Sequence, residues 1–110
     1  MKLAAIDIGS NAARLLITEV TQADGAKPVF TKMNLFRIPL RLGFDVFENK
    51  YISAERQEMF IQTMKAYQHL MNAYEVDAVK ACATSAMRDA SNATEIIHRI
   101  KQETGIEIEV

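Results

Sequence analysis

Apolar positions crowd the first forty residues in short runs broken by small polar clusters. Lys2 to Ile8 reads as a strand, and Ala12 to Val20 as a second one rich in Leu and Ile. The polar link "TQADGAK" between the second and third apolar runs holds Asp24-Gly25. Both residues tolerate positive φ, which predicts a hairpin. Pro28 to Ile38 supplies the third strand of an antiparallel meander. Pro39 to Ile52 reads as a longer connection that includes Gly43. From there the period changes from two to 3.6. Ser53 is placed to cap a helix, with Glu55 in its first turn. Phe60, Met64, Tyr67, Met71 and Tyr74 follow at alternating spacings of four and three. They share one helical face, which we read as core packing and not as a cofactor box. Ala78 to Thr84, "AVKACAT", is a strand of small residues suited to close packing. Asn92 and Glu95 stand at capping-box spacing ahead of Ile96, Ile97 and Ile100, and Gly105 is placed to stop that second helix. Ile106 to Val110 reads as a last strand.

The order β-β-β-α-β-α-β implies one α/β domain without repeats or linkers. Right-handed crossovers make the last two strands parallel to the first, and the sheet order 3-2-1-4-5 follows, with helices packed against it. This is a ribonuclease H-like arrangement. Its consequence is that strands 1 and 4 become parallel neighbours. Their carboxyl ends, Asp7 to Asn11 and Thr84 to Arg88, then lie side by side at the edge where open α/β sheets bind ligands.

Composition narrows the possible partners. The chain has 110 residues, 49% of them hydrophobic and 25% charged. That mix suits one globular domain with a real core. A formal net charge of -1 offers no general attraction to nucleic acid or an anionic membrane, so neither is expected as a partner. Any anion must be held by local geometry. A single cysteine, Cys82, excludes an internal disulfide and fits a reducing compartment. No apolar stretch approaches the ~20 residues of a membrane span, and the N-terminus shows no secretory pattern. A cytoplasmic location is expected.

Two stretches carry the candidate chemistry. In "AIDIGSNAARLLI", Asp7 interrupts an apolar strand. An ionised carboxylate is costly there unless paired, hydrogen-bonded or near a metal. Gly9 permits a tight turn and close approach to backbone. Ser10 and Asn11 add a hydroxyl and an amide, and successive backbone N–H groups in such a turn can cradle an anion. A plain hairpin turn whose Asp caps its own loop stays open beside that reading. In "ACATSAMRDASNA", a loop carrying Thr84, Ser85, Arg88, Asp89 and Ser91 joins a strand to a helix N-terminus, which favours anions. Arg88 could hold phosphate oxygens in bidentate fashion, or pair with Asp89 or Glu95 on the surface. The predicted topology, which sets this loop beside the Asp7 turn, favours the first. His69 and His98 fall on helices without a partner at ligand spacing, and Cys82 reads as a buried thiol among small residues.

"AIDIGSNAARLLI" is similar to the first phosphate-binding hairpin of the actin, Hsp70 and sugar-kinase superfamily. More narrowly, "DIGSN" followed by "ATSAMRDASNA", with "RLG" at Arg41 to Gly43, resembles the exopolyphosphatase / guanosine pentaphosphate phosphohydrolase (Ppx/GppA) family, over Ala5 to Val110. The resemblance implies a hydrolase that removes terminal phosphate from inorganic polyphosphate or guanosine pentaphosphate. It implies Mg²⁺ and a two-lobed fold with the active site between lobes. Asp7 would lie near metal and phosphate, positioning metal and water. Gly9, Ser10 and Asn11 would cradle phosphate, and Thr84, Ser85 and Arg88 would bind substrate. Phe44-Asp45-Val46-Phe47 departs from the family, being bulkier than the glycine-containing stretch usual there. The chain's end departs further. The family's catalytic glutamate segment and second glycine-rich phosphate loop have no counterpart, and Glu107 and Glu109 do not match. We therefore expect an N-terminal portion of the first lobe, inactive alone and prone to self-association, with the catalytic glutamate beyond Val110 and a second lobe as partner. A kinase of the same superfamily, or a non-enzymatic phosphate- or nucleotide-binding module, is the alternative.

Overall fold

The computed structural model describes all 110 residues. Three strands come first: β1 (Lys2–Ile8), β2 (Ala13–Thr21) and β3 (Val29–Ile38). Helices α1 (Leu42–Asn49) and α2 (Ala54–Ala73) lead to β4 (Ala78–Ala83), and α3 (Ser85–Asp89) and α4 (Ala93–Thr104) lead to β5 (Ile108–Glu109). The five strands form one mixed sheet in the order β3-β2-β1-β4-β5, as expected. β1 pairs antiparallel with β2 and parallel with β4. The Asp24-Gly25 hairpin forms, with Gly25 at φ 74°.

Strand alternation decides what the sheet covers. Ala4, Ile6, Ile8, Ala13, Leu15, Ile17, Ala81 and Ala83 point to one face and join a single core with the helices. Their alternates Ala5, Asp7, Arg14, Leu35, Arg37, Lys80 and Cys82 point to the opposite face and are exposed. All helical packing is therefore on one side. Phe60, Met64, Tyr67 and Met71 of α2 are buried as the spacing predicts, whereas Tyr74 lies just past the helix and is half-buried. The Ser53 hydroxyl caps α2 by accepting from the Arg56 N–H. Gly105 closes α4 in the left-handed region at φ 79°, the usual glycine stop.

Four expectations need correction. The connection over Pro39 to Ile52 holds a helix, α1. Its N-cap, Arg41, makes no side-chain capping bond, and Gly43 sits in its first turn, so the usual start signal is missing. The Thr84–Asn92 loop likewise holds the short helix α3. Asn92 does not cap α4 with its side chain. Its amide instead brackets Ile52, accepting from that N–H at 3.0 Å and donating to that carbonyl at 2.9 Å, which pins the α1–α2 junction to the start of α4. Cys82 is exposed, not buried, because it faces the side of the sheet that no helix covers.

Candidate functional site

The ends of β1 and β4 lie side by side, as the topology requires. Thr84 donates to the Ile8 carbonyl through its N–H at 3.1 Å and its hydroxyl at 3.4 Å. One step further, the Ser10 and Ser85 hydroxyls meet at 3.3 Å. This contact joins the two stretches singled out in the sequence.

The turn Gly9–Asn11 is closed by the Gly9 N–H donating to the Ala12 carbonyl at 2.9 Å. A Cβ at Gly9 would meet only that carbonyl, at an ordinary 3.5 Å, so the turn itself does not require glycine there. On its far side the turn is held by the start of α1. The Arg41 N–H donates to the Asn11 carbonyl and the Gly43 N–H to the Ser10 carbonyl, both at 2.9 Å. The carbonyls of Ser10 and Asn11 are thus committed to protein donors, while the Ser10 and Asn11 N–H groups donate to no group of the chain. Free, adjacent amide donors of this kind are what an anion can use. Gly43 is required for this approach, because a Cβ on it would lie 3.0 Å from the Ser10 Cβ and 3.3 Å from the Ser10 carbonyl oxygen.

Between the turn and α1 opens a cavity of ≈ 610 Å³ lined by Ser10, Asn11, Arg37, Pro39, Arg41, Gly43, Phe44, Phe47 and Glu48. Two of the lining groups are guanidinium ions. Arg41 adopts φ 55° and ψ 43°. This left-handed conformation costs a side-chain-bearing residue on the order of 1 kcal/mol or somewhat more. Arg37 and Arg41 are not among the binding residues expected from the sequence. Arg37 has the parity of any solvent-facing strand residue, and Arg41 is visible there only as the first residue of "RLG". Phe44 and Phe47, exposed on α1, give the cavity an apolar wall.

Asp7 sits on the uncovered face, its carboxylate 3.9 Å from the Arg14 guanidinium, with both side chains more than half exposed at 55% and 54%. The desolvation expected for a carboxylate in an apolar strand does not arise. Register places Arg37, Arg14, Asp7, Cys82 and Glu109 in one row across the uncovered face. Arg88 is exposed in α3 and forms no ion pair, so the surface pairing with Asp89 or Glu95 is not made. Nowhere do three His, Cys, Asp or Glu side chains gather to hold a metal. Asp7 offers a single half-exposed carboxylate, and Mg²⁺, which keeps several waters, needs only one or two from a protein.

Behind the cavity, Asp45 accepts from the Ser53 N–H at 2.8 Å and from Arg56 Nε at 3.1 Å. Burial works to raise its pKa but is outweighed by the hydrogen bonds from Ser53 and the charge of Arg56, so its carboxyl lies below the usual range.

Residues 20–110 match the Ppx/GppA phosphatase family. The chain is 35% identical over 108 residues to the bifunctional 3-dehydroquinate synthase/phosphatase of Fusobacterium nucleatum, covering 96% of this chain and 16% of that protein. It is 29% identical over 109 residues to exopolyphosphatase 1 of Mycobacterium tuberculosis, covering 99% of this chain and 30% of the relative. Among solved structures, the Aquifex aeolicus Ppx/GppA family member superposes with a TM-score of 0.91 at 37% identity, over 100% of this chain and 34% of that one. Thermus thermophilus RuvC, at 14% identity and a TM-score of 0.55, shares the fold alone, over 98% of this chain and 59% of that one. The chain spans no more than 30% of these two curated relatives. With a family match over residues 20–110 and a fold shared along its whole length, this chain belongs to the Ppx/GppA phosphatase family.

Proposed function

We propose that this chain supplies a phosphate-binding edge for hydrolysis of the terminal phosphate of inorganic polyphosphate or guanosine pentaphosphate. The observation that carries this reading is the Ser10–Asn11 turn. Its two carbonyls are tied down by Gly43 and Arg41, its two N–H groups are free, and two guanidinium ions line the adjoining cavity. In this reading the free amides and Ser10 hydroxyl hold oxygens of the terminal phosphoryl group. Arg41, Arg37 and Arg88 offset its charge, which acts in the transition state as well as the ground state. Water attacks phosphorus in line, the bridging P–O bond breaks, and the shortened polyphosphate leaves. The base that takes the water's proton is a glutamate outside these residues. Mg²⁺, when bound through Asp7, would neutralise phosphate oxygens; Asp7 would also hold a water by its second oxygen. The chain forms one part of a two-lobed protein in this scheme, and the opposite lobe completes the site.

Calorimetric titration of the chain with inorganic tripolyphosphate tests the reading. Saturable, salt-sensitive binding is expected, weakened on the order of ten-fold or more by Arg41→Ala and again by Arg88→Ala, the scale of a charge-assisted hydrogen bond. Binding unaffected by both substitutions overturns it.

A further inference from the structure

Arg41 is the strained element of the cavity wall, and its backbone is gripped from both sides. Its N–H donates to the Asn11 carbonyl at 2.9 Å, and its carbonyl accepts from the Phe44 N–H at 3.1 Å and, as its one side-chain donor, from Arg56 Nη1 at 3.2 Å. The Arg56 guanidinium is itself held on two sides. Its Nε donates to Asp45 Oδ1 at 3.1 Å, and its Cζ lies 5.7 Å from the centre of the Phe44 ring. Asp45 is in turn anchored by the Ser53 N–H at 2.8 Å. A chain of contacts therefore runs from the start of α2, through Asp45 and Arg56, to the carbonyl of a residue whose left-handed conformation is unfavourable without support.

We infer that Asp45 and Arg56 are positioning residues, which lock Arg41 in the left-handed conformation that sets its guanidinium at the cavity. The inference rests on the reading that this cavity binds phosphate. Arg56 does not line the cavity; it acts on the ligand through Arg41. With the latch removed, the strain at Arg41 favours other backbone conformations, and apparent affinity falls by the fraction of molecules still in the competent one. The strain of one left-handed residue corresponds to a loss of roughly 5–30-fold.

Charge and positioning predict opposite signs for Asp45. Asp45→Ala deletes a negative charge near an anion site, which by electrostatics alone tightens binding. If Asp45 positions Arg41 through Arg56, the same substitution weakens it. Arg56→Lys provides the second variant. It keeps the charge, but an ammonium cannot reproduce the planar fork that reaches Asp45 and the Arg41 carbonyl together.

The experiment is titration of the chain with tripolyphosphate at fixed ionic strength, with thermal melting of each variant alongside. Asp45→Ala and Arg56→Lys are each expected to weaken binding several-fold, and Asp45→Ala to add nothing further in an Arg41→Ala background. Tighter or unchanged binding in Asp45→Ala, or a loss that persists in the Arg41→Ala background, overturns the inference and leaves the cavity reading standing. If Asp45→Ala melts below the assay temperature, Arg56→Lys decides by the same comparison. Arg41→Ala without effect on binding overturns the inference, and the phosphate-binding reading falls with it when Arg88→Ala is without effect as well.

Discussion

Asp7, near the end of β1, and Arg88, in α3 just past β4, answer to different charges. Arg88 is exposed, makes no ion pair, and is held only by a long backbone bond from its N–H to the Thr84 carbonyl at 3.3 Å. Arg88→Ala is therefore expected to leave thermal stability within about 0.5 kcal/mol of the parent, as for other exposed positions. It should weaken tripolyphosphate binding by a factor of roughly ten or more, the scale of a charge-assisted bond. If that variant unfolds while keeping its affinity, Arg88 is a structural residue. Asp7 repels bare phosphate and attracts Mg²⁺. Asp7→Asn should tighten binding of tripolyphosphate in a chelator and remove the further gain on adding Mg²⁺. Its one ion pair, with Arg14 at 3.9 Å, is solvent-exposed. Such a pair contributes no more than about 1 kcal/mol, so the melting temperature should hardly move. A variant that still gains affinity from Mg²⁺ as the parent does would take Asp7 out of the metal's reach.

The element that ties the helical layer to the sheet is α2, and Tyr67 does so with a polar contact inside the core. Its hydroxyl donates to the Ala13 carbonyl at 3.0 Å and to the Phe36 carbonyl at 3.3 Å. Burial pushes its pKa from 10.0 to about 12. Below pH 10 the hydroxyl is neutral in both folded and unfolded chains. Between 10 and 12 the unfolded chain loses the proton and the folded one keeps it, so stability falls as pH rises through that window. Tyr67→Phe should cost about 1 kcal/mol at neutral pH and flatten the alkaline decline; an unchanged pH profile above 10 would show that other groups control it. At the start of α1, Gly43→Ala should push the helix away from Ser10, because the new Cβ meets Ser10 atoms at 3.0 and 3.3 Å. Weaker tripolyphosphate binding at nearly constant melting temperature is the expected result, and full affinity in Gly43→Ala would mean that the turn and α1 separate without harm. The elements differ in how far the sequence announces them. The strands and α2 declare themselves through the alternation from Ala4 to Ile8 and the spacing from Phe60 to Met71. The α1 segment has only Leu42, Gly43 and Val46 buried on its inner side, a positive-φ residue for a cap and two exposed phenylalanines, so its periodicity is lost. For the same reason Arg41 can be noticed as part of a motif but not placed at a cavity wall. Asn92 fails in a different way, since its spacing to Glu95 is right for a cap and only the tertiary fold shows that Ile52 takes its amide. Cys82 and Asp7 are exposed for one reason, that no helix covers the face of the sheet to which they point.

At the scale of the whole molecule the uncovered sheet face dominates. The chain is elongated, 53 × 23 × 20 Å, and all its helices lie to one side. The other side presents Ala5, Leu16 and Leu35 in register across β1, β2 and β3, with Leu35 46% exposed. Apolar groups gathered on one exposed face favour association. A net charge of -1 does little to keep copies apart. The row of polar residues across the same face also has a direction, from Arg37 and Arg14 on β3 and β2 to Glu109 on β5. A two-fold axis running along the strands would lay one copy on another with the strand order reversed. Arg37 of each copy would then lie over Glu109 of its partner and Leu16 over Lys80, with Asp7 facing Asp7 at the axis. An isologous pair of this kind matches opposite charges at its rim and sets like charges against each other at its centre. We predict that the isolated chain forms such a dimer at high concentration. Sedimentation velocity should show a concentration-dependent shift from monomer to dimer, diminished by salt because the rim charges are exposed. Leu35→Lys should return it to monomer without lowering the melting temperature, since that side chain contributes little to the core. A parent chain that stays monomeric at every concentration, or a dimer indifferent to Leu35→Lys, would show that this face is not self-complementary.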